Sequence, residues 1–425
     1  MRWLYIPDED DPDFIAKQET IAHIEKWWQD FEKIVVTKWI KSVDKSAEAA
    51  LEVADYSDFT DVVRESLHAI NPNIMWEFHN KPNDYHEFVC TVEDNYSDGA
   101  VVQTMVRMSP KLEGWRILTH RPPVEFDALQ IYLQQTAGLE IPQDIRVSWT
   151  KSHINRIMLG YHSSHFTNDL SKDLTLLLKL TSAVLGEEMF EKWIDRVAPL
   201  KPVSIPVRML NQLIGKENPI SFQLNVLLEQ CNKIKNQILN SLPNNYFYEL
   251  LPSYEQEDAP CYIWHRKPDE DNVPARRKRR LIYAFLEQSL LQATLSGLYF
   301  HSTSHSKLNE TFCYVEITDF DMGLKDSLDK RDDIALRIDN ALRSSQLGCI
   351  FGVGSGIDSC YVDLALRNVE KAIPILREIA TEKNLPETSW LFFYDSNLQD
   401  EWVGLHKSTK APPVVEEEPL EFEPG

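Results

Sequence analysis

The tightest constraint on the fold lies in residues 310–395, which alternate between a two-residue and a 3.6-residue hydrophobic period in a fixed order. Thr311–Thr318 reads as a strand. Ile334, Ile338, Ala341 and Leu342 mark one face of a helix ending near Gly348. Cys349–Val353 is a second strand, and Cys360, Val362 and Leu364 alternate along a third. Ala372, Ile375, Leu376, Ile379 and Ala380 form the apolar face of a second helix, with Pro374 inside it. Trp390–Tyr394 is a fourth strand. The order β-α-β-β-α-β is that of the ferredoxin-like split βαβ motif. It predicts an antiparallel sheet with two helices on one face, in which Cys349–Val353 and Cys360–Leu364 are neighbours.

The rest of the 425 residues also mixes helix and strand, so the expected class is α+β. Asp13 is expected to cap a first helix whose apolar stripe is Ile21, Ile24, Trp28, Phe31 and Val35. A second helix ends near Ile70. Strands follow at Ile74–Phe78 and Glu87–Val92, then a helix at Gly99–Met108 and a strand at Gly114–His120. Ile145–Trp149 and Ile154–Tyr161 read as strands. Leu174–Leu185 reads as a helix, broken by Gly186 and resumed at Glu187–Ile194. Pro199, Pro202, Pro206 and Pro219 punctuate residues 196–219, which read as a linker with a short helix at Val207–Leu213. Beyond it come a helix at Phe222–Leu242, strands at Phe247–Leu251 and Cys261–His265, a helix at Arg279–Leu295 and a strand at Leu298–His301. The expected organisation is thus 1–195, a linker 196–219, 220–406 and a disordered acidic tail 407–425.

The two halves open alike. Leu67, Asn73 and Glu77 coincide with Leu239, Asn245 and Glu249, and Trp76 with Tyr248. Both stretches read as helix, Asn/Pro stop and aromatic strand. An internal duplication accounts for this; so does chance reuse of helix–turn–strand residues.

Lysine and arginine total 44 against 66 aspartates and glutamates, a formal charge of −22. That excess disfavours nucleic acid, whose phosphates demand cations, and an anionic membrane surface. It suits solubility and a basic partner. No run approaches the roughly 18 apolar residues of a membrane span. The acidic stretch Asp8–Asp13 does not resemble a secretory signal. Cys90, Cys231, Cys261, Cys313, Cys349 and Cys360 form no CxxC pair, which fits a reducing cytoplasm.

No motif commits the chain to a chemistry. Gly352, Gly354 and Gly356 lack the following helix of a dinucleotide loop and read as a hairpin turn. Asp319-Phe-Asp321-Met-Gly323 places glycine at a ligand position of a calcium loop and is rejected. Asp326, Asp329, Asp332 and Asp333 suit a helix start. His162 with His165, and His301 with His305, supply too few ligands for zinc unless the pairs meet. Arg276–Arg280, which follows Asp269-Glu-Asp271, is expected to begin a helix or to pair with neighbouring acids. No catalytic residue, binding residue or metal ligand is assigned, and no cofactor is expected.

Trp76-Glu77, the turn Ser109-Pro-Lys-Leu-Glu-Gly-Trp115, and the glycine run followed by Tyr361-Val-Asp-Leu364 resemble uncharacterised bacterial proteins, some of them suspected immunity proteins. The resemblance implies a protein that neutralises a toxin by binding it, and it carries no functional residue across. The expected function is a non-enzymatic cytoplasmic binding protein covering a basic toxin or nuclease. The alternatives are a hydrolase with a site of dispersed carboxylates and histidines, or a small-ligand regulatory protein.

Overall fold

The computed structural model describes residues 2–37, 57–81, 85–93, 95–167, 169–200, 221–256, 259–266, 280–295, 300–318, 325–356 and 358–413. The protein is mixed α and β, with three sheets among the described residues. It divides into two units, Met1–Arg121 with Asn397–Glu401, and Pro122–Ser396 resuming at Trp402. This division falls at Arg121/Pro122, ahead of the expected linker.

In the N-terminal unit, α1 (Pro12–Asp30) starts two residues earlier than Asp13 would set it. Asp11 is its cap and accepts the Asp13 amide, with Pro12 at the first helical position. The helix continues into a π-helical segment, Phe31–Val36. The expected stripe is the core face: Ile24, Trp28, Phe31 and Val35 are buried, joined by Trp27. Helix α2 (Ser57–His68) follows, then β1 (Met75–Lys81) and β2 (Tyr85–Thr91), which pair antiparallel. Helix α3 (Gly99–Arg107) crosses over to β3 (Trp115–Leu118), parallel to β2. The indoles of Trp3 and Trp28 donate to Thr104 Oγ1 at 2.9 Å and the Met105 carbonyl at 2.8 Å, so each buried N–H is satisfied. The Glu401 carboxylate accepts three successive amides, from Trp3 at 2.6 Å, Leu4 at 2.9 Å and Tyr5 at 3.1 Å.

The second unit begins with α4 (Leu129–Ala137), β4 (Arg146–Lys151), β5 (Ile157–His162), α5 (Leu170–Leu185), α6 (Glu187–Trp193), β6 (Ile194–Leu200), β7 (Ser221–Gln223) and α7 (Leu227–Ser241). Its first sheet runs β6-β5-β4-β7. The expected linker therefore opens inside a strand: Pro199 pairs with Tyr161 at a sheet edge, where a missing N–H costs nothing. Residues 201–219, with the expected helix Val207–Leu213, lie outside the described residues. Residues 407–410, assigned to the tail, are held: the Trp390 indole donates to the Lys410 carbonyl at 2.8 Å.

A seven-stranded antiparallel sheet follows, built from β8 (Tyr262–His265), β9 (Arg280–Phe285), β10 (Thr311–Thr318), β11 (Gly348–Gly356), β12 (Ser359–Leu366), β13 (Ser389–Phe393) and β14 (Trp402–Gly404). Its order is β14-β13-β10-β12-β11-β9-β8. Helices α8 (Phe247–Leu250), α9 (Gln288–Leu295), α10 (Lys325–Ser344) and α11 (Val369–Glu382) accompany it. The expected neighbours Cys349–Val353 and Cys360–Leu364 are adjacent antiparallel strands. Strand alternation sorts the buried residues onto two faces. Phe312, Tyr314, Tyr361, Phe392 and Tyr394 join an aromatic cluster with Phe247, Leu290 and Phe300. Cys313, Val315, Ile317, Val362 and Leu364 form the opposite, aliphatic face. Helices α10 and α11 pack on one another and contribute nothing to the aromatic cluster.

Several expectations fail here for identifiable reasons. Phe247–Leu251 is a helical turn because the buried Glu310 carboxylate accepts the Phe247 amide at 2.8 Å and Glu249 caps Tyr246. Trp76-Glu-Phe78 is a strand, so the two similar openings do not share this structure. Arg279–Leu295 is not one helix: Leu281, Tyr283 and Phe285 follow a strand period, and Glu287 accepts the Ser289 amide to start α9. Phe300 and His301 lie outside any strand, and 298–299 lie outside the described residues.

The glycine run is another. Gly352 and Gly354 sit inside β11, not in a turn. A Cβ on Gly354 would come within 2.2 Å of Arg280 Nε, and one on Gly352 within 2.4 Å of the Phe285 ring. Gly354 makes room for the Arg280 side chain to lie across β11, and Gly352 for the Phe285 ring and the Asp363 carboxylate. Its guanidinium grips Asp363 with both forks, Nη1–Oδ1 at 2.7 Å and Nη2–Oδ2 at 2.6 Å. The Tyr394 hydroxyl donates to Asp363 at 2.6 Å. The ring of Tyr283 lies 4.3 Å from the guanidinium carbon and that of Tyr361 5.1 Å. Burial alone would lower the Arg280 pKa; the Asp363 charge reverses this and raises it. Of the basic cluster, 276–279 lie outside the described residues, and Arg280 neither begins a helix nor pairs with a neighbouring acid: it lies in a strand, and its partner Asp363 is 83 residues away. Gly354→Ala must disturb this pair and is expected to lower the unfolding free energy in urea titration by roughly 2–4 kcal/mol. At Gly99 an added Cβ meets nothing within 4 Å. Gly99→Ala is expected to change stability by less than about 1 kcal/mol.

Candidate functional site

The two histidine pairs take different environments. His162 ends β5 and contacts Ser148 Oγ at 2.8 Å. His165 lies 3.0 Å from Asp144 Oδ1. Asp144 also accepts from Ser163 and from the Ser164 amide and hydroxyl, which together hold its carboxyl well below the usual range. This is a turn closed around one carboxylate.

His301 and His305 flank a short 3-10 turn, Ser302–Ser304, and both are buried. The turn is fixed by its own serines: the Ser302 amide donates to Asp395 at 2.6 Å, its hydroxyl also bonds Asp395, and Ser306 bonds Glu310 at 2.7 Å. The His305 ring stacks on Phe300 with centroids 4.9 Å apart. Burial, reinforced by the Arg156 charge, pushes each histidine down to about 3. Both are therefore neutral at pH 7. Arg156 itself donates to the carbonyls of Glu191 and Ile194.

The thiols are equally withdrawn. Cys90, Cys231, Cys313, Cys349 and Cys360 are buried and unpaired. Burial pushes Cys231 and Cys360 up to about 12, and Cys90, Cys313 and Cys349 upward as well. Cys261 is exposed. Among the described residues no three His, Cys, Asp or Glu side chains converge to hold a metal ion. The calcium-like residues 319–323 lie outside the described residues. Of the helix-start acids, Asp332 pairs with Arg331 at 2.6 Å and Asp333 with Lys383 at 2.6 Å.

Two clefts open on the surface. One, of 680 Å³, lies along the edge strand β8, where Cys261, Ile263, Trp264, Leu291 and Leu295 make an uncharged lining with His153. The second, of 380 Å³, lies in the N-terminal unit and is lined by Glu32, Val36, His86, Leu112, Glu113 and Trp115. The sequence reading passed over these residues as site candidates, although the turn leading to Trp115 was already conspicuous. Among the described residues no helix is long and apolar enough to cross a membrane. No protein-family model, curated protein or solved structure matches the chain.

The buried histidines make stability depend on pH. Unfolded, each titrates near 6.5; folded, near 3. Their contribution is complete above pH 6.5 and is lost as pH falls toward 3, at up to about 1.4 kcal/mol per pH unit for each. His305→Phe is expected to flatten the fall in unfolding free energy between pH 6 and 4 relative to wild type, as followed by urea titration at each pH.

Proposed function

We propose that this chain is a non-enzymatic acidic binding protein that covers a basic partner, in the manner of an immunity protein neutralising a toxin or nuclease. The observation that carries this reading is where the −22 charge resides. Among the described residues eight carboxylates and four arginines are buried, so the interior accounts for a small part of the excess. The other described carboxylates are partly or fully exposed, where their charge accelerates encounter with a basic surface. The titratable groups most often used as nucleophile or base weigh against the hydrolase alternative: His301 and His305 are neutral and buried, and five thiols are buried and protonated.

The strand order β13-β10-β12-β11, with crossovers through α10 and α11, supports reading residues 310–395 as a ferredoxin-like unit, extended by β14 on one side and β9 and β8 on the other. Six free cysteines suit a reducing compartment, and we place the protein in the cytoplasm.

The test is the association rate with a basic protein captured from the native host. It is expected to fall at least about tenfold as salt shortens the Debye length from about 10 Å at 0.1 M to about 3 Å at 1 M, with the dissociation rate changing less. A salt-independent association rate, or a metabolite carried through purification in place of any protein partner, would contradict the proposal.

A further inference from the structure

We propose that the 380 Å³ cleft of the N-terminal unit receives a single lysine or arginine side chain from the basic partner. The inference rests on the binding-protein reading above and names its point of contact.

The cleft is built by two unusual pieces of backbone. Phe31–Val36 is π-helical, a geometry that is rare and recurs at functional sites. Phe31 anchors this segment: it is fully buried, with its ring edge-on to Trp115 at 5.5 Å. Glu32 and Val36 of the same segment reach the cleft, with Glu32 exposed. The opposite wall is the turn before β3. Gly114 adopts φ +74°, its carbonyl accepts the His86 amide at 2.7 Å, and the Trp115 amide returns to the Leu112 carbonyl at 3.2 Å. That turn presents Glu113 to solvent beside the indole. Phe78 and His86 also pack on Trp115, at 6.1 and 5.0 Å between ring centroids, so the indole is fixed before any ligand arrives.

The chemistry of this lining selects a cation. Glu32 and Glu113 are both exposed, and among the described residues neither is engaged by an ion pair or hydrogen bond. Two uncommitted carboxylates beside an aromatic ring attract an ammonium or guanidinium through direct charge and through the ring quadrupole. Val36 and Leu112 supply apolar surface for the methylene stem that such a side chain carries. The volume lies near the lower end of ligand-sized pockets, roughly 300–1,000 Å³, which suits one side chain better than a large cofactor. The overall charge of −22 draws a basic protein toward this surface.

The experiment compares Glu32→Gln/Glu113→Gln with a charge-matched control, Glu19→Gln/Glu25→Gln, in the full chain. Both control residues are exposed and lie on α1, away from the cleft lining. The probes are hexa-arginine and hexa-lysine peptides, read by tryptophan fluorescence and the Trp115 indole NMR resonance, and the captured partner, read by kinetics. At about 0.15 M salt the cleft variant is expected to weaken peptide and partner binding by about tenfold, mainly through faster dissociation, while the control stays within about twofold. Equal weakening by both variants, or an indole resonance unmoved by either peptide, would overturn the cleft and leave the acidic-binder reading intact. Absence of any salt-dependent basic partner would instead overturn that reading, while the peptide titration still judges the cleft. Circular dichroism of both variants guards against misfolding, and Glu113→Lys, expected to abolish peptide binding, supplies a second variant at the same site.

Discussion

A buried ion pair holds the large sheet together. Removing Arg280 and Asp363 from water costs several kcal/mol for each ion, and only good geometry offsets that. Here the geometry is bidentate, a tyrosine hydroxyl donates to the same carboxylate, and two aromatic rings face the guanidinium. Arg280 lies on β9, Asp363 on β12, and β11 runs between them. The pair therefore ties together three neighbouring strands and sets the register of β9 against β11. It also explains the absence of side chains at positions 352 and 354. Strand β8, whose described sheet partner is β9, depends on the same lock.

Other buried acids work in a related way, as acceptors for backbone amides. Glu401 gathers three amides of the N-terminal segment. Asp339 accepts the Ile350 amide on Oδ1 and both the Tyr254 amide and Arg343 Nε on Oδ2. Glu310 accepts Phe247, and Asp395 accepts Ser302. Hydrogen bonds to carboxylates are shorter and stronger than those to neutral acceptors, and these fix segments against elements distant in sequence. The acids of this chain thus divide by task. Among the described residues a minority are internal and positional; the others are partly or fully exposed.

Much of the fold was legible in the sequence. The elements of 311–395, the leading helix with its tryptophan stripe, and the apolar helix ending at Leu185 all carry long, unambiguous periods. Failures cluster where a distant residue decides local structure. Phe247–Leu250 has a strand-like composition, but Glu310, 63 residues away, holds it as a helical turn. Arg280 looked like part of a charged surface run because nothing near it in sequence shows Asp363. Gly352 and Gly354 resembled a turn because glycine is read first for its backbone freedom, whereas these two serve through a missing side chain. The acid-flanked cleft escaped for the same reason: Glu32, His86 and Glu113 are ordinary residues until the fold gathers them around Trp115.

The central claim is that Arg280 and Asp363 act as one unit, and a double-mutant cycle measures that directly. Arg280→Met, Asp363→Leu and the double variant are compared by urea unfolding at pH 7. If the account holds, each single variant leaves an unmatched buried charge and costs about 3–5 kcal/mol, while the double variant costs far less than the sum. Additive losses would contradict it and would place the lock elsewhere in the sheet.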